Sequence, residues 1–197
     1  MSERDIPSRA NYFGRESMVD SLLRDNNTSR GSYELKLQAF KAERVLEVYM
    51  RKEASEWKKI IDYSFSAFSG VLGPKLREGD RQIPEGIYQV KIFNPQSKFY
   101  LSLGLDYPNE RDLKIADPEL PGSDIYIHGG CQTSGCIPIS DGKMAELYLL
   151  SQGANKVINV TILPYKPSEE NTKIYSQKFP QHKAFWEKLY NDAEILY

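Results

Sequence analysis

Apolar residues recur along this chain at two different periods, and the switch between them divides it. Near the start, Val19, Leu22 and Leu23 share one side of a helical wheel. Ser17 followed by Asp20 reads as the start of a short helix that ends near Asn26 and Asn27. From there the period drops to two. Leu35 and Leu37, then Leu46, Val48 and Met50, then Ile61, Tyr63, Phe65 and Ala67 each place apolar side chains on one strand face. Gly70 to Gly86 holds four glycines and two prolines among charged residues, which predicts a long surface connection. Alternation resumes at Tyr88, Val90 and Ile92, at Phe99, Leu101, Leu103 and Leu105, and at Ile158, Val160 and Ile162 before Pro164.

Between the last two of these runs, Ile125 and Ile127 face inward, which turns Tyr126 and His128 together to the opposite face of a short strand. Ser140 or Asp141 can cap a helix whose apolar stripe is Met144, Leu147 and Tyr148, with Gly153 as its stop. After a polar linker from Lys166 to Thr172, Phe185, Trp186, Leu189, Ala193 and Leu196 return to helical spacing. The pattern is α+β: about seven strands, a peripheral helix at each end, and one helix behind the cysteine segment.

Length and composition narrow the classes open to it. A chain of 197 residues, 40% hydrophobic, can bury one compact core. A net charge of -1 and a pI near 6.2 lack the basic footprint that phosphate neutralisation requires, so nucleic acid is not an expected partner. No stretch reaches the roughly 20 consecutive apolar residues needed to span a bilayer, so no transmembrane segment is expected. Met1 to Ala10 is polar and lacks the apolar run of a signal peptide, which fits a cytosolic protein or an exported one written without its signal. The two cysteines make no disulfide framework, and both fall in one six-residue window, which points to chemistry.

That window lies in Ile127 to Ser140, IHGGCQTSGCIPIS, with one of the chain's two histidines. A thiol is a nucleophile only as thiolate, and a histidine within hydrogen-bond reach can take its proton. His128 and Cys136 can meet across a loop of seven residues. Gly129, Gly130 and Gly135 remove side chains around both groups, so a substrate backbone can approach and amide N–H groups can turn toward a developing oxyanion. The N–H groups of Gly135 and Cys136 are the best candidates.

The pattern IHG followed within ten residues by SGC resembles the L,D-transpeptidase catalytic domain (YkuD-like), and specifically its YafK-like branch. Leu72 to Gly86 (LGPKLREGDRQIPEG), Leu101 to Asp112 (LSLGLDYPNERD) and Lys143 to Leu150 follow in the order of that branch, so the resemblance covers about Arg44 to Pro164. It implies a β-rich mixed-sheet domain over residues 34–165, with an N-terminal helical extension over 1–33 and a C-terminal linker and amphipathic helix over 166–197. It implies that Cys136 attacks the carbonyl of an L-centre, of the meso-diaminopimelate type, in a peptidoglycan stem peptide. His128 would be the base, Gly129 would fix its tautomer through a backbone carbonyl, and Ser134, Gly135 and Cys136 would line the oxyanion site. No cofactor is implied. The partners implied are stem peptides and, in the YafK-like branch, a cell-wall-linked lipoprotein whose linkage is hydrolysed, in a periplasmic or cell-envelope setting. Cross-linking of the 3-3 type and a peptidoglycan-binding protein without turnover are the alternatives. Oligomeric state is left open.

Pro138 stands where most of the family has arginine, and Arg81 or Arg111 is a candidate for the missing cation. Tyr107, Asn109 and Tyr126 resemble cleft residues, and Arg81 joins them as a substrate-binding candidate. Asp80 with Arg81 also reads as a structural salt link at a turn. Cys131 can be an inert support of the loop, a disulfide partner of Cys136, or part of a zinc set His128, Cys131 and Cys136 with His182 as fourth ligand. The loop spacing matches no common zinc finger, so no metal is expected. His182, on the apolar side of the last helix, reads as a packing residue.

Overall fold

The computed structural model describes residues 14–53 and 55–196, so the polar segment Met1 to Ala10 lies outside the described residues. The order of elements is α1 (Arg15–Asp25), β1 (Glu34–Phe40), β2 (Val45–Arg51), β3 (Lys58–Ser64), β4 (Gly86–Asn94), β5 (Ser102–Leu105), β6 (Tyr126–His128), β7 (Ile137–Pro138), α2 (Asp141–Gly153), β8 (Asn159–Leu163), α3 (Glu169–Lys178) and α4 (Lys183–Asp192). One-turn 3-10 helices occupy Asp112–Lys114 and Pro180–His182. The strands form one mixed sheet in the order β3-β2-β1-β8-β4-β5-β6-β7. Pairing is antiparallel except at β1–β8 and β6–β7. The architecture is α+β, as the alternating periods predict.

The main core lies on one face of the sheet. Leu35, Leu37 and Ala39 of β1, Leu46 and Val48 of β2, and Val160 and Ile162 of β8 point into it beside Met144, Leu147 and Leu150 of α2. Helix α2 is buried over most of its circumference, more than its three-residue stripe implied, because the sheet packs on one side and α1 on another. An Arg15–Glu146 ion pair joins the two helices. Helix α1 starts at Arg15 with Gly14 as N-cap, so Ser17 lies inside the first turn and its hydroxyl donates back to the Gly14 carbonyl.

The opposite face of β1 is covered by the C-terminal segment. Lys36 donates to the Glu194 carboxylate, 2.7 Å, and the Gln38 side chain exchanges hydrogen bonds of 3.0 Å with the backbone of Leu196. These contacts explain why β1, alternating in sequence, is buried on both faces. The expected linker over 166–172 gives way to helix α3 from Glu169, because Ser168 caps it through its hydroxyl and acidic residues fill its first turn. Trp186 and Leu189 of α4 are buried, Leu189 beside Phe40 and Leu163 and Trp186 beside Tyr165 and Leu72. Ala193 ends that helix, so Leu196 is reached by extended chain.

Candidate functional site

The parallel pair β6–β7 aligns Ile127 with Ile137 and His128 with Pro138. Both isoleucines are fully buried in the core. Their neighbours therefore share the other face, which sets His128 on one strand diagonally across from Cys136 on the next. The Cys136 sulfur lies against the start of β6, accepting from the Tyr126 N–H at 3.4 Å and donating to the Asp124 carbonyl at 3.4 Å. No direct hydrogen bond joins the sulfur to the imidazole among the described residues.

His128 is held on three sides. Its backbone pairs with Ser102 of β5, its ring lies 4.6 Å from that of Phe99, and its Nδ1 is 2.6 Å from the Gly129 carbonyl oxygen. A carbonyl only accepts, so Nδ1 carries the proton of the neutral ring and Nε2 is left with the lone pair. Phe99 is 44% exposed and His128 only 2%, so the phenyl ring is the cover over the imidazole. Tyr100, next in sequence, holds a positive φ of 76°, unusual for a bulky residue, and that turn brings the Phe99 carbonyl against Gly129. A Cβ on Gly129 would lie 2.7 Å from that carbonyl and 2.7 Å from the Asp141 carboxylate, so glycine is required there.

The loop between the two strands is pinned by hydroxyls. Thr133 Oγ1 accepts from the Cys136 N–H at 2.9 Å and donates to the Cys136 carbonyl at 2.8 Å. Ser69 Oγ accepts from the Gly135 N–H at 2.8 Å, and Ser66 ties the same segment to the loop through the Gly130 carbonyl. Gly135 has φ 113°, and a Cβ there would meet the Gln82 carbonyl at 2.9 Å. The two expected oxyanion amides are thus present beside the sulfur but each already donates to a hydroxyl. Ser134 is exposed.

Part of the charge around the site comes from a residue the sequence reading missed. Lys75 is buried, donates to Asp80 at 2.7 Å and to the Arg77 carbonyl at 2.9 Å, and pulls the Cys136 thiol toward its ionised form. Asp80 also accepts from the N–H groups of Leu76, Arg77 and Gln82, so its salt link is to Lys75 and not to Arg81. Burial is the largest influence on the thiol, and with the Asp124 carboxylate it holds the pKa above the ordinary value despite the Tyr126 N–H and Lys75. Burial also holds His128 below its ordinary value, opposed by the Gly129 carbonyl.

Both shifts favour the neutral thiol and the neutral imidazole in the free protein. Alkylation of Cys136 by iodoacetamide should therefore rise with a midpoint above about 8.5 in the free protein, while His128 titrates below about 6.5. A thiol midpoint well under that value would instead reveal a resting ion pair.

The remaining candidates divide. Arg81 is exposed and adjoins Gln82, whose backbone abuts Gly135, so it stands next to the loop of the nucleophile. Tyr126 is half-buried in β6 with its backbone on the sulfur. The Tyr107 hydroxyl donates to the Pro121 carbonyl at 2.8 Å and the Asn109 side chain donates to the Ile87 carbonyl at 3.0 Å, so both side chains tie loops together, and Asn109 lines a cavity with Arg111 and Asp112. Arg111 is paired with Asp192 of α4 at 2.9 Å and is not the missing cation. That pair is half-exposed on the arginine side and screened by solvent, so Arg111→Ala should leave the urea denaturation midpoint and Cys136 reactivity nearly unchanged.

Cys131 is a free, exposed thiol on the wall of a shallow depression that Phe99, Tyr100 and Asp141 also line. Cys136 is likewise free, so no bridge joins them. His182 packs against Phe179 and Trp186 and its ring fills the space beside Gly73, away from both cysteines. Among the described residues no group of three His, Cys, Asp or Glu side chains could hold a metal.

The family model for the L,D-transpeptidase catalytic domain (YkuD) matches residues 25–160, which include every site element from Ser66 to Asp141. The chain belongs to the L,D-transpeptidase catalytic-domain family. It is 31% identical over 159 residues to YafK of Escherichia coli (strain K12), and to YafK of E. coli O157:H7 likewise, an alignment covering 78% of this chain and 62% of those proteins. The chain thus matches less than two thirds of the length of these relatives. Among solved structures, the helical cell shape determining protein Pgp2 of Campylobacter jejuni superposes with a TM-score of 0.56 at 16% identity, covering 87% of this chain and 65% of that one. Bd1075 of Bdellovibrio bacteriovorus gives 0.50 at 18% identity, covering 78% and 60%. At such identities these two speak for the fold.

Proposed function

We propose that this chain is a peptidoglycan acyl-transfer enzyme that uses Cys136 as nucleophile and His128 as its base. The observation that carries the reading is the placement of both residues on one face of the parallel pair β6–β7, with Nδ1 committed to Gly129 and Nε2 left to accept a proton. In the reaction proposed, Nε2 takes the thiol proton as the sulfur adds to the carbonyl of an L-centre, of the meso-diaminopimelate type, in a stem peptide. The tetrahedral oxyanion is received by the N–H groups of Gly135 and Cys136, once Ser69 and Thr133 release them, with Ser134 at the rim. Collapse breaks the C–N bond, the imidazolium returns its proton to the leaving amine, and a thioester remains. Water then attacks the thioester with His128 again as base, which gives a free carboxylate and restores the thiol.

The acceptor assigned is water, and the linkage cleaved is one between the stem peptide and a lipoprotein lysine or a D-amino acid, in the periplasm or cell envelope. The choice of water over an amine follows the resemblance of the sequence motifs to the YafK-like branch, and Arg81, exposed beside the Gln82 backbone that abuts Gly135, is the cation proposed to meet a substrate carboxylate. The domain proposed to do this spans 34–165, flanked by extensions over 1–33 and 166–197, of which α1, α3 and α4 lie among the described residues. The test is incubation with sacculi and with purified muropeptides, read by intact-protein mass and by product mass. A thioester adduct on the protein with release of lysine-bearing lipoprotein or D-amino acid is expected. Dimeric 3-3 products would reassign the acceptor to an amine, and tight muropeptide binding with no adduct would refute catalysis.

A further inference from the structure

Asp141 opens helix α2, yet its carboxylate is spent outside that helix. Oδ1 accepts from the Gly130 N–H at 2.7 Å, in the range of charge-assisted bonds. That N–H belongs to the same peptide group as the Gly129 carbonyl, the oxygen that lies 2.6 Å from His128 Nδ1. The peptide units on either side are fixed by other partners: Gly129 N–H donates to Leu101, the His128 carbonyl accepts from Ile139, and the Gly130 carbonyl accepts from Ser66. The two ends of the Gly129–Gly130 amide meet the imidazole and the carboxylate. Gly130 holds φ 80°, a turn that glycine makes without strain.

We propose that Asp141 is a positioning residue for His128 that acts through the Gly129–Gly130 peptide: it fixes the amide with its carbonyl toward Nδ1 and, by accepting the N–H, draws charge onto that carbonyl oxygen. An amide is conjugated, so a negative acceptor on its nitrogen side strengthens its oxygen as an acceptor. The imidazolium formed during proton transfer then gains more than the neutral ring does. Cys136, His128, the peptide and Asp141 form one line in which a carboxylate supports the base without touching it. The inference rests on the assignment of His128 as base. The charged and titratable groups facing this line are the Tyr100 hydroxyl, the Arg15 guanidinium with its partner Glu146, Lys98 and the Cys131 thiol on the Asp141 side, and the Cys136 thiol with Asp124 and Lys75 on the other.

The chain has two histidines, and His182 lies in the α4 cluster, so the full-length protein carries its own control. Imidazole pKa and tautomer are read by 15N NMR in wild type, Asp141→Asn and Asp141→Ala, with Gly130 amide and Gly129 carbonyl shifts followed in parallel. Asparagine keeps an oxygen for the Gly130 N–H but removes the charge. The expected result in Asp141→Asn is a fall of about half a unit for His128, roughly threefold in its proton affinity, with His182 unmoved and a shifted Gly129 carbonyl. Alanine should also loosen the Nδ1–H tautomer preference. The difference must survive in 1 M salt, where the screening length is about 3 Å and a field acting through solvent from an exposed carboxylate fades. An unchanged His128 titration in folded Asp141→Asn, or a change that salt abolishes, would overturn the proposal. A merely structural Asp141 would lower the melting temperature and leave the titration where it was. Because the readout is the histidine and not turnover, absence of a Cys136 adduct in wild type would refute the catalytic reading separately.

Discussion

Replacing Cys136 with alanine is expected to abolish covalent capture of a carbapenem or muropeptide acyl donor, and His128→Ala to slow it by about a hundred- to ten-thousand-fold. The two losses differ in kind. Without the sulfur no thioester can form, whereas without the imidazole the thiol still ionises in water and can add slowly. The structure sets the size of the second effect, because burial keeps the thiol protonated near neutral pH. A proton acceptor at the moment of attack is then indispensable. The pH profile of capture separates the contributions: its acid limb should follow His128, which titrates below its ordinary value, so reactivity should hold into mildly acidic solution. In His128→Ala that limb should vanish and the rate should climb with thiol ionisation alone. Stopped-flow capture kinetics with intact-mass detection measure both. Equal rates for wild type and His128→Ala at neutral pH would remove the histidine from the mechanism.

The proposed site residues fall in a short stretch of chain, and local pattern was enough to put them on one face. His128, Gly129, Gly135 and Cys136 sit within nine residues, and the two-residue period that aims His128 away from the core is a local property. The strands of the main sheet were legible for the same reason. What was hidden depended on contacts between distant segments. Lys75 looks like a surface lysine in a loop and is buried because Asp80 and a carbonyl consume its ammonium protons. Ser69 and Thr133 resemble ordinary loop hydroxyls, and only the fold brings Ser69 to an amide that lies 66 residues on. Tyr107 and Asn109 are residue types that suit a cleft, and the fold adds loop partners for their polar atoms, Pro121 and Ile87, that no local pattern announces. Asp141 gave one signal, that of a helix cap, and the structure diverts it to Gly130. Strand β7 was missed because two residues, one of them proline, carry no period.

The largest stability loss is expected at a buried charge pair that joins the C-terminal helix to the wall of the site. Lys41, at the end of β1, and Glu85, just before β4, are both fully buried and stand 2.9 Å apart. Lys41 also donates to the carbonyls of Gly73 and Ile83, each at 2.8 Å, so its three protons are used. Glu85 accepts from the Gly73 N–H at 2.7 Å and from Trp186 Nε1 at 2.6 Å. Both ends of the 70–86 loop are thereby clamped to β1 and to α4. That same loop carries Lys75, Asp80 and the Gln82 carbonyl that abuts Gly135. Burial pulls the Lys41 ammonium below its ordinary pKa and Glu85 opposes the shift, so the charge persists only with its partner in place. Lys41→Met removes that partner and strands a carboxylate in the interior, for which the expected cost is about 3–5 kcal/mol. In thermal denaturation this should appear as a fall of roughly 10 °C for a chain of this size. The double variant Lys41→Met/Glu85→Leu should recover part of the loss, because it removes both charges together, although Trp186 Nε1 and the Gly73 N–H then lack an acceptor. Losses that simply add in the double variant would show that the two groups act independently. A folded Lys41→Met protein should also capture acyl donors more slowly than wild type, since the loop that backs Gly135 has lost its anchor.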